Sequence, residues 1–208
     1  MAGNNLRCIG KYMYDKGYLR KDRISVETAS GVKRLRLFSR DGLVSSVTVD
    51  MGKAEFAAAA VPVKSEEKWL VSSPARIGGR EWEITCLSVG NPHCVVFCEA
   101  IDALDLEELG PQFEHAELFP ERVNTEFIRV VNRTNLRMRV WERGIGETLA
   151  CGTGACAAVA AAVANGFCDM GTDVHVALPG GELIVNCTRD HVTLTGSATK
   201  VFEGSFDY

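Results

Sequence analysis

Cys151-Gly152-Thr153-Gly154-Ala155-Cys156, followed by the run Ala157 to Ala164, is the stretch around which the rest of the chain is organised. Ala is the strongest helix former, and the run stops at Asn165-Gly166, a natural C-terminal cap. Cys151 is therefore expected just ahead of a helix N-terminus. The first turn there has backbone N–H groups without partners and about half a positive charge from the helix dipole. Gly152 and Gly154 leave the approach to those groups open. A carboxylate or phosphate fits such a site, and a thiol beside it is expected to ionise below the usual ~8.5. The same residues also fit a Gly/Ala-rich helix packed in a core, with Cys151 as a small hydrophobe.

The run belongs to a repeat. Ala2-Gly3-Asn4-Asn5 leads into a helix closed by Gly17, as Cys151-Gly152-Thr153-Gly154 leads into one closed by Gly166. In the first helix Leu6, Ile9 and Met13 are expected to share the inner face. Ile24 and Val26, then Leu35 and Leu37 beyond Ser30-Gly31, alternate like Val174 and Val176, then Leu183 and Val185 beyond Gly180-Gly181. Val47-Thr48-Val49 echoes Val192-Thr193-Leu194. A duplicated lobe explains this better than a short-period solenoid. Between the copies the pattern is mostly strand: Trp82, Ile84 and Cys86 in alternation, His93 to Phe97 after a Gly90-Asn91-Pro92 turn, then Val123 to Val131 and Leu136 to Val140. A short acidic helix, Ala103 to Leu109, is expected to end at Gly110-Pro111.

These patterns predict an α+β fold of two pseudo-symmetric lobes, each a curved, mostly antiparallel sheet around one central helix. Residues 1–61 are expected to form the first lobe, with 201–208 returning to it, and 62–200 the second lobe, which carries Cys151. A strand-rich stretch precedes the helix in the second copy and has no counterpart in the first, so the first lobe is expected to be incomplete.

The chain has 208 residues, 46% of them hydrophobic, enough for substantial cores. A net charge of -4 supplies no basic field for nucleic acid. The longest apolar run is too short to span a bilayer. The eight cysteines match neither a small secreted disulfide scaffold nor a zinc pattern, so no metal and a reduced, cytoplasmic compartment are expected. Cys8, Cys86, Cys94, Cys98, Cys156, Cys168 and Cys187 read as structural, and Arg137 and Arg139 as a solvated strand face.

Two facing helix N-termini suit a small anionic substrate. A thiol on each would remove a proton from one face of a carbon and deliver one to the other, with no cofactor. The segment Trp141-Glu142-Arg143-Gly144-Ile145-Gly146-Glu147-Thr148-Leu149-Ala150-Cys151-Gly152-Thr153-Gly154-Ala155-Cys156 closely resembles the second cysteine motif of bacterial diaminopimelate epimerases. Gly90-Asn91-Pro92-His93, Phe119-Pro120-Glu121-Arg122-Val123-Asn124, Ala2-Gly3-Asn4-Asn5-Leu6-Arg7-Cys8 and the terminal Gly196 to Gly204 also resemble that family, in order.

The resemblance implies a pyridoxal-phosphate-independent isomerase that interconverts LL- and meso-diaminopimelate for lysine and peptidoglycan synthesis. It implies a catalytic role for Cys151, and its other catalytic Cys falls on Ala2. Gly152 and Thr153, with Gly3 and Asn4 from the other helix, would bind the reacting carboxylate. Glu142 would hold the reacting ammonium and, with His93, tune the thiols. Asn91, Asn124 and Arg143 would grip the distal end. With Ala at position 2 and the first lobe incomplete, the chain as written is expected not to invert its substrate. A proline- or hydroxyproline-type racemase and a catalytically dead binder of diaminopimelate-like ligands are the alternatives. The expected partner is a small molecule, with neither nucleic acid nor membrane; homodimerisation stays open.

Overall fold

A computed structural model describes residues 3–205. Helix α1 (Gly3–Asp15) is followed by strands β1 (Arg23–Thr28), β2 (Gly31–Arg40) and β3 (Leu43–Gly52). The middle of the chain forms β4 (Ser73–Ile77), β5 (Arg80–Ser88), β6 (Pro92–Phe97), helix α2 (Leu106–Glu114), β7 (Asn124–Asn132), β8 (Asn135–Glu142) and the short β9 (Gly146–Thr148). Helix α3 (Gly152–Ala164) then precedes β10 (Asp173–Leu178), β11 (Gly181–Cys187) and β12 (Val192–Ser197). Helix and three strands thus occur twice in the same order, as the repeat requires. The fold is α+β and mostly antiparallel.

The strands form one sheet in the order β1-β2-β3-β12-β11-β10-β8-β7-β6-β5-β4, with β9 on β8. Its first six places are a palindrome: the last strand of one copy pairs antiparallel with the last strand of the other, Val49 opposite Leu194 and Thr48 opposite Thr195. The threonine hydroxyls meet across that joint at 2.7 Å. The β10–β8 and β6–β7 pairs are parallel.

Helix α3 is enclosed by this sheet. Every residue from Gly152 to Ala162 is buried, and the helix packs against β11 and β12 as well as β5, β6, β7 and β8. Alanine is what allows it: with sheet on all sides, larger side chains would hold the strands off the helix axis. Asn165 caps the helix and Gly166 follows at φ +75°, the left-handed turn the sequence signals.

Three sequence expectations change. Helix α1 buries Leu6 as expected but not Ile9 or Met13. Its inner face is Gly3, Leu6, Arg7 and Gly10, and Ile9 is exposed. The glycines decide this, since a Cβ at Gly10 would lie 2.9 Å from Leu37 Cδ2 and 3.1 Å from Leu35 Cδ2. Helix α2 does not stop at Gly110-Pro111 but runs through both to Glu114. Asp105 caps it by accepting from the Glu108 N–H, and buried Leu106, Leu109 and Phe113 hold it to the sheet, so packing overrides the proline signal. Arg139 is not solvated: it is paired with Glu147 and donates to the carbonyls of Ile101 and Leu104. Arg137 is paired with Asp102.

The buried hydrophobics form two clusters. One runs from Leu6 and β2–β3 through α3 to Leu194; the other packs α2 and Phe113 against β4–β7. All eight cysteines are free thiols, with Cys8 exposed rather than in the core. Among the described residues no helix is long and apolar enough to cross a membrane.

Candidate active site

The site is built where the first turns of the two repeated helices meet. A Cβ at Gly152 would stand 2.9 Å from Asn4 Oδ1 and 3.7 Å from the Asn4 backbone nitrogen. One at Gly3 would stand 3.0 Å from Leu194 Cδ2, and one at Gly152 would stand 3.1 Å from the same atom. Glycine at both positions lets the helix ends close on Leu194 and on one another. Ala2, on which the resemblance places the other thiol, lies outside the described residues.

Cys151 is the N-cap of α3. Its sulfur accepts from the Gly154 N–H at 3.4 Å and lies 3.5 Å from Thr153 Oγ1. The expected lowering of its pKa does not occur. The thiol is only 5% exposed, and burial, the Glu126 carboxylate and the Glu142 carboxylate push it up to about 12. The bonds from Thr153 and Gly154 oppose this without overcoming it. Magnitudes explain the outcome: a helix terminus contributes about 0.3–1 kcal/mol, under one pKa unit, whereas full burial moves a group by up to about 3–5 units.

Around the thiol the sheet delivers polar side chains from the β5–β6 turn, the starts of β6 and β7, and the end of β8. His93 is fully buried in β6. Its Nδ1 lies 2.6 Å from Glu126 Oε1 and its Nε2 lies 3.1 Å from Asn91 Oδ1. Asn91, half-buried in the turn before β6, donates through Nδ2 to Thr153 Oγ1 at 3.2 Å. Asn124 opens β7 and is held twice by backbone: its Nδ2 donates to the Pro92 carbonyl and its Oδ1 accepts from the Arg143 N–H, both at 2.9 Å. Glu142 ends β8, half-buried, and accepts from the Thr148 hydroxyl.

Arg143 stands in the β8–β9 turn. Its guanidinium donates to the Glu121 carbonyl and pairs with no carboxylate among the described residues. That turn is anchored by buried Glu114, which accepts from Trp141 Nε1 at 2.7 Å and from the Gly144 N–H at 2.9 Å. Burial pushes the Glu114 carboxyl up, but the bonds from Trp141 and Gly144 outweigh it and hold it below the ordinary carboxylate range.

The structure therefore links Asn91, His93 and Thr153 to Cys151 by contact and Glu142 by charge, brings Asn4 to Gly152 and sets Leu194 against both Gly3 and Gly152, while Asn124 and Arg143 are tied to one another through the Arg143 N–H. Sequence reasoning passed over Glu126 and Glu114. The visible signal for Glu126 was a run of three polar residues, Asn124-Thr125-Glu126, at the head of a strand; all three are buried.

A family model described as Diaminopimelate epimerase matches residues 85–201. The chain is 50% identical to the diaminopimelate epimerase of Desulfovibrio desulfuricans over 214 residues, covering 99% of this chain and 74% of the relative. The chain belongs to the diaminopimelate epimerase family. Its identity to the Acetivibrio thermocellus diaminopimelate epimerase is 48% over 209 residues, covering 100% of this chain and 74% of that one.

Among solved structures the fold matches a probable proline racemase from Agrobacterium radiobacter K84, with TM-score 0.69 and 16% identity, over 95% of this chain and 65% of that one. A hydroxyproline epimerase from Agrobacterium vitis gives TM-score 0.65 and 18% identity, over 95% and 63%. At such identities the likeness is one of fold.

Proposed function

We propose that this protein acts on diaminopimelate as a cofactor-independent epimerase, with Cys151 as the acid/base group on one face of the substrate's α-carbon. One observation carries the reading: a buried, protonated thiol caps a helix whose first turn meets the first turn of its repeat. A thiol held up near pKa 12 suits the proton donor to a carbanion. The N–H groups of Gly152 and Thr153, and of Gly3 and Asn4 opposite, suit the carboxylate on the reacting carbon. A substrate ammonium beside Glu142 would cancel one of the two negative charges that hold the thiol up.

Asn91, Asn124 and Arg143 form the distal grip. An arginine without a carboxylate partner among the described residues favours a substrate with a second carboxylate over proline or hydroxyproline. The reading assigns a small-molecule partner and neither nucleic acid nor membrane. Free cysteines throughout support a reduced, cytoplasmic setting.

Residue 2 is alanine and carries no proton. On this reading the 208-residue chain exchanges the α-proton on the Cys151 face without inverting the carbon. Incubation of each diaminopimelate stereoisomer in heavy water, followed by chiral separation and mass measurement, tests this. Deuterium in the unchanged isomer without the inverted product is the expected result. Accumulation of the inverted isomer would place a second acid/base group elsewhere in the chain. Binding with no exchange in either isomer would make the chain a binder and remove Cys151 from the chemistry.

A further inference from the structure

Glu126 is a carboxylate with no exposed atom, and its only charged neighbour within bonding distance among the described residues is His93. Its second oxygen, Oε2, has no protein partner among the described residues. Burying a carboxylate costs several kcal/mol unless something specific compensates it. What compensates it here leads to the thiol. Glu126 and His93 lie on adjacent parallel strands, with His93 opposite Asn124 and Glu126 opposite Val95, so the two side chains reach each other diagonally. From His93 the contacts continue through Asn91 and Thr153 to the sulfur of Cys151. Gly154 makes room for the carboxylate beside α3, since a Cβ there would lie 2.7 Å from Glu126 Oε1.

Two patterns run unbroken from an ionised Glu126 to the sulfur. An ionised carboxylate only accepts, so His93 Nδ1 must carry a hydrogen. In a neutral ring Nε2 is then an acceptor. It takes the Asn91 N–H with the amide turned by half a rotation, which the same heavy-atom positions accommodate. Asn91 Oδ1 in turn accepts from the Thr153 hydroxyl, whose oxygen accepts from the Cys151 S–H. In an imidazolium Nδ1–H still donates to Glu126, every bond from Nε2 onward reverses, and the Thr153 hydroxyl donates to a thiolate. A neutral Nδ1–H ring thus gives the Cys151 S–H an acceptor, whereas a charged ring gives a thiolate a donor.

We propose that Glu126 is a positioning residue: by fixing the neutral His93 ring as its Nδ1–H tautomer, it sets the chain through Asn91 and Thr153 in the direction that keeps Cys151 protonated. This deepens the assignment of Cys151 as a proton donor and rests on that assignment for its catalytic consequence. The other titratable groups facing the chain are Glu142 from β8, Cys94 from β6 with Cys86 of β5 beside it, and Cys156 within α3. Glu142 acts on the thiol by charge alone and is not in the chain.

The test uses the 208-residue protein. Nitrogen-15 NMR of the ring, assigned with His93→Gln, should show His93 protonated at Nδ1. Glu126→Gln offers Nδ1 either a donor or an acceptor and should bring in the Nε2–H tautomer; Glu126→Asp keeps an acceptor and should not. With Nε2 then donating, the chain can turn toward a thiolate. Mass-resolved alkylation of Cys151 at pH 9 should speed up at least tenfold in Glu126→Gln.

Because a lost charge alone would also speed it, Thr153→Val decides: in that background Glu126→Gln should give most of its gain no longer. An undiminished gain would show that Glu126 acts through space and overturn the proposal, as would an Nε2–H ring in the unaltered protein, a measurement that needs no variant to fold. Loss of α-proton exchange with the ring and alkylation results intact would instead overturn the epimerase reading and leave the role of Glu126 standing.

Discussion

Alkylation of Cys151 offers a quantitative check on the site. At pH 8 a thiol with a pKa of about 12 is about one part in ten thousand thiolate, whereas a free thiol near 8.5 is about one quarter ionised, a deficit of roughly 2,400-fold. The more basic thiolate is the better nucleophile; with a Brønsted slope of ~0.4–0.5, the gap of about 3.5 units returns about 25- to 55-fold. The net expectation is that Cys151 reacts about 40 to 100 times more slowly than an unstructured cysteine peptide in the same tube, before any further slowing by its burial.

A pulse of iodoacetamide at each pH from 7 to 11, followed by digestion and mass measurement of the Cys151 peptide, gives the profile. Glu142→Gln should move it to lower pH. The same shift acts on stability. The native thiol holds its proton more tightly than the unfolded one, so its contribution is complete below about pH 9. It is lost as pH rises from about 9 toward 12, up to roughly 4 kcal/mol. An inflection at or below about 8.5 in the unaltered chain would refute this account and restore the helix terminus as the dominant influence.

Three other expectations follow from named contacts. Gly110→Ala would put a Cβ 2.1 Å from Trp141 Cδ2 and should cost about 3 kcal/mol or more, lowering the thermal midpoint by roughly 6–12 °C. Glu114→Gln leaves one of the Trp141 and Gly144 donors without its acceptor and should cost about 1–3 kcal/mol near neutral pH. Because the native Glu114 pKa is depressed, its contribution is present above about pH 4.3 and lost as pH falls below; acid denaturation of the variant should show a correspondingly flatter limb. Arg143→Met should weaken diaminopimelate binding by about 1.5–3 kcal/mol by calorimetry. An equal loss for a mono-carboxylate analogue would assign Arg143 another role.

The repeat was legible because it is written in small residues. Gly3 and Gly152 open matching helices, Gly17 and Gly166 close them, and the alternating strands after each have equivalents at matching distances. The central helix was legible because alanine at successive positions has few other uses. What escaped was set by partners distant in sequence. The inner face of α1 follows from where Gly10 meets Leu35 and Leu37, and α2 passes through Pro111 because Phe113 finds the sheet beyond it. Glu126 drew no reading of its own, because its partner His93 reaches it only when β6 lies beside β7. The direction of the Cys151 shift escaped for a related reason: the helix terminus is local and readable, whereas burial and two carboxylates from other strands are not.

The joint between β3 and β12 has a mechanical consequence. The repeats are fastened by six facing residue pairs, from Val192 opposite Gly52 to Ser197 opposite Ser46. A flexible linker would let two halves swing apart; a hydrogen-bonded ladder yields readily only to twist, and bending in its plane breaks bonds. A change in the spacing of the helix ends is therefore expected to twist this strand pair rather than bend it. Leu194 sits on the ladder and reaches both Gly3 and Gly152, so it acts as the wedge that sets their spacing. Trimming that one side chain should change how far the two first turns stand apart while leaving every polar group of the site in place.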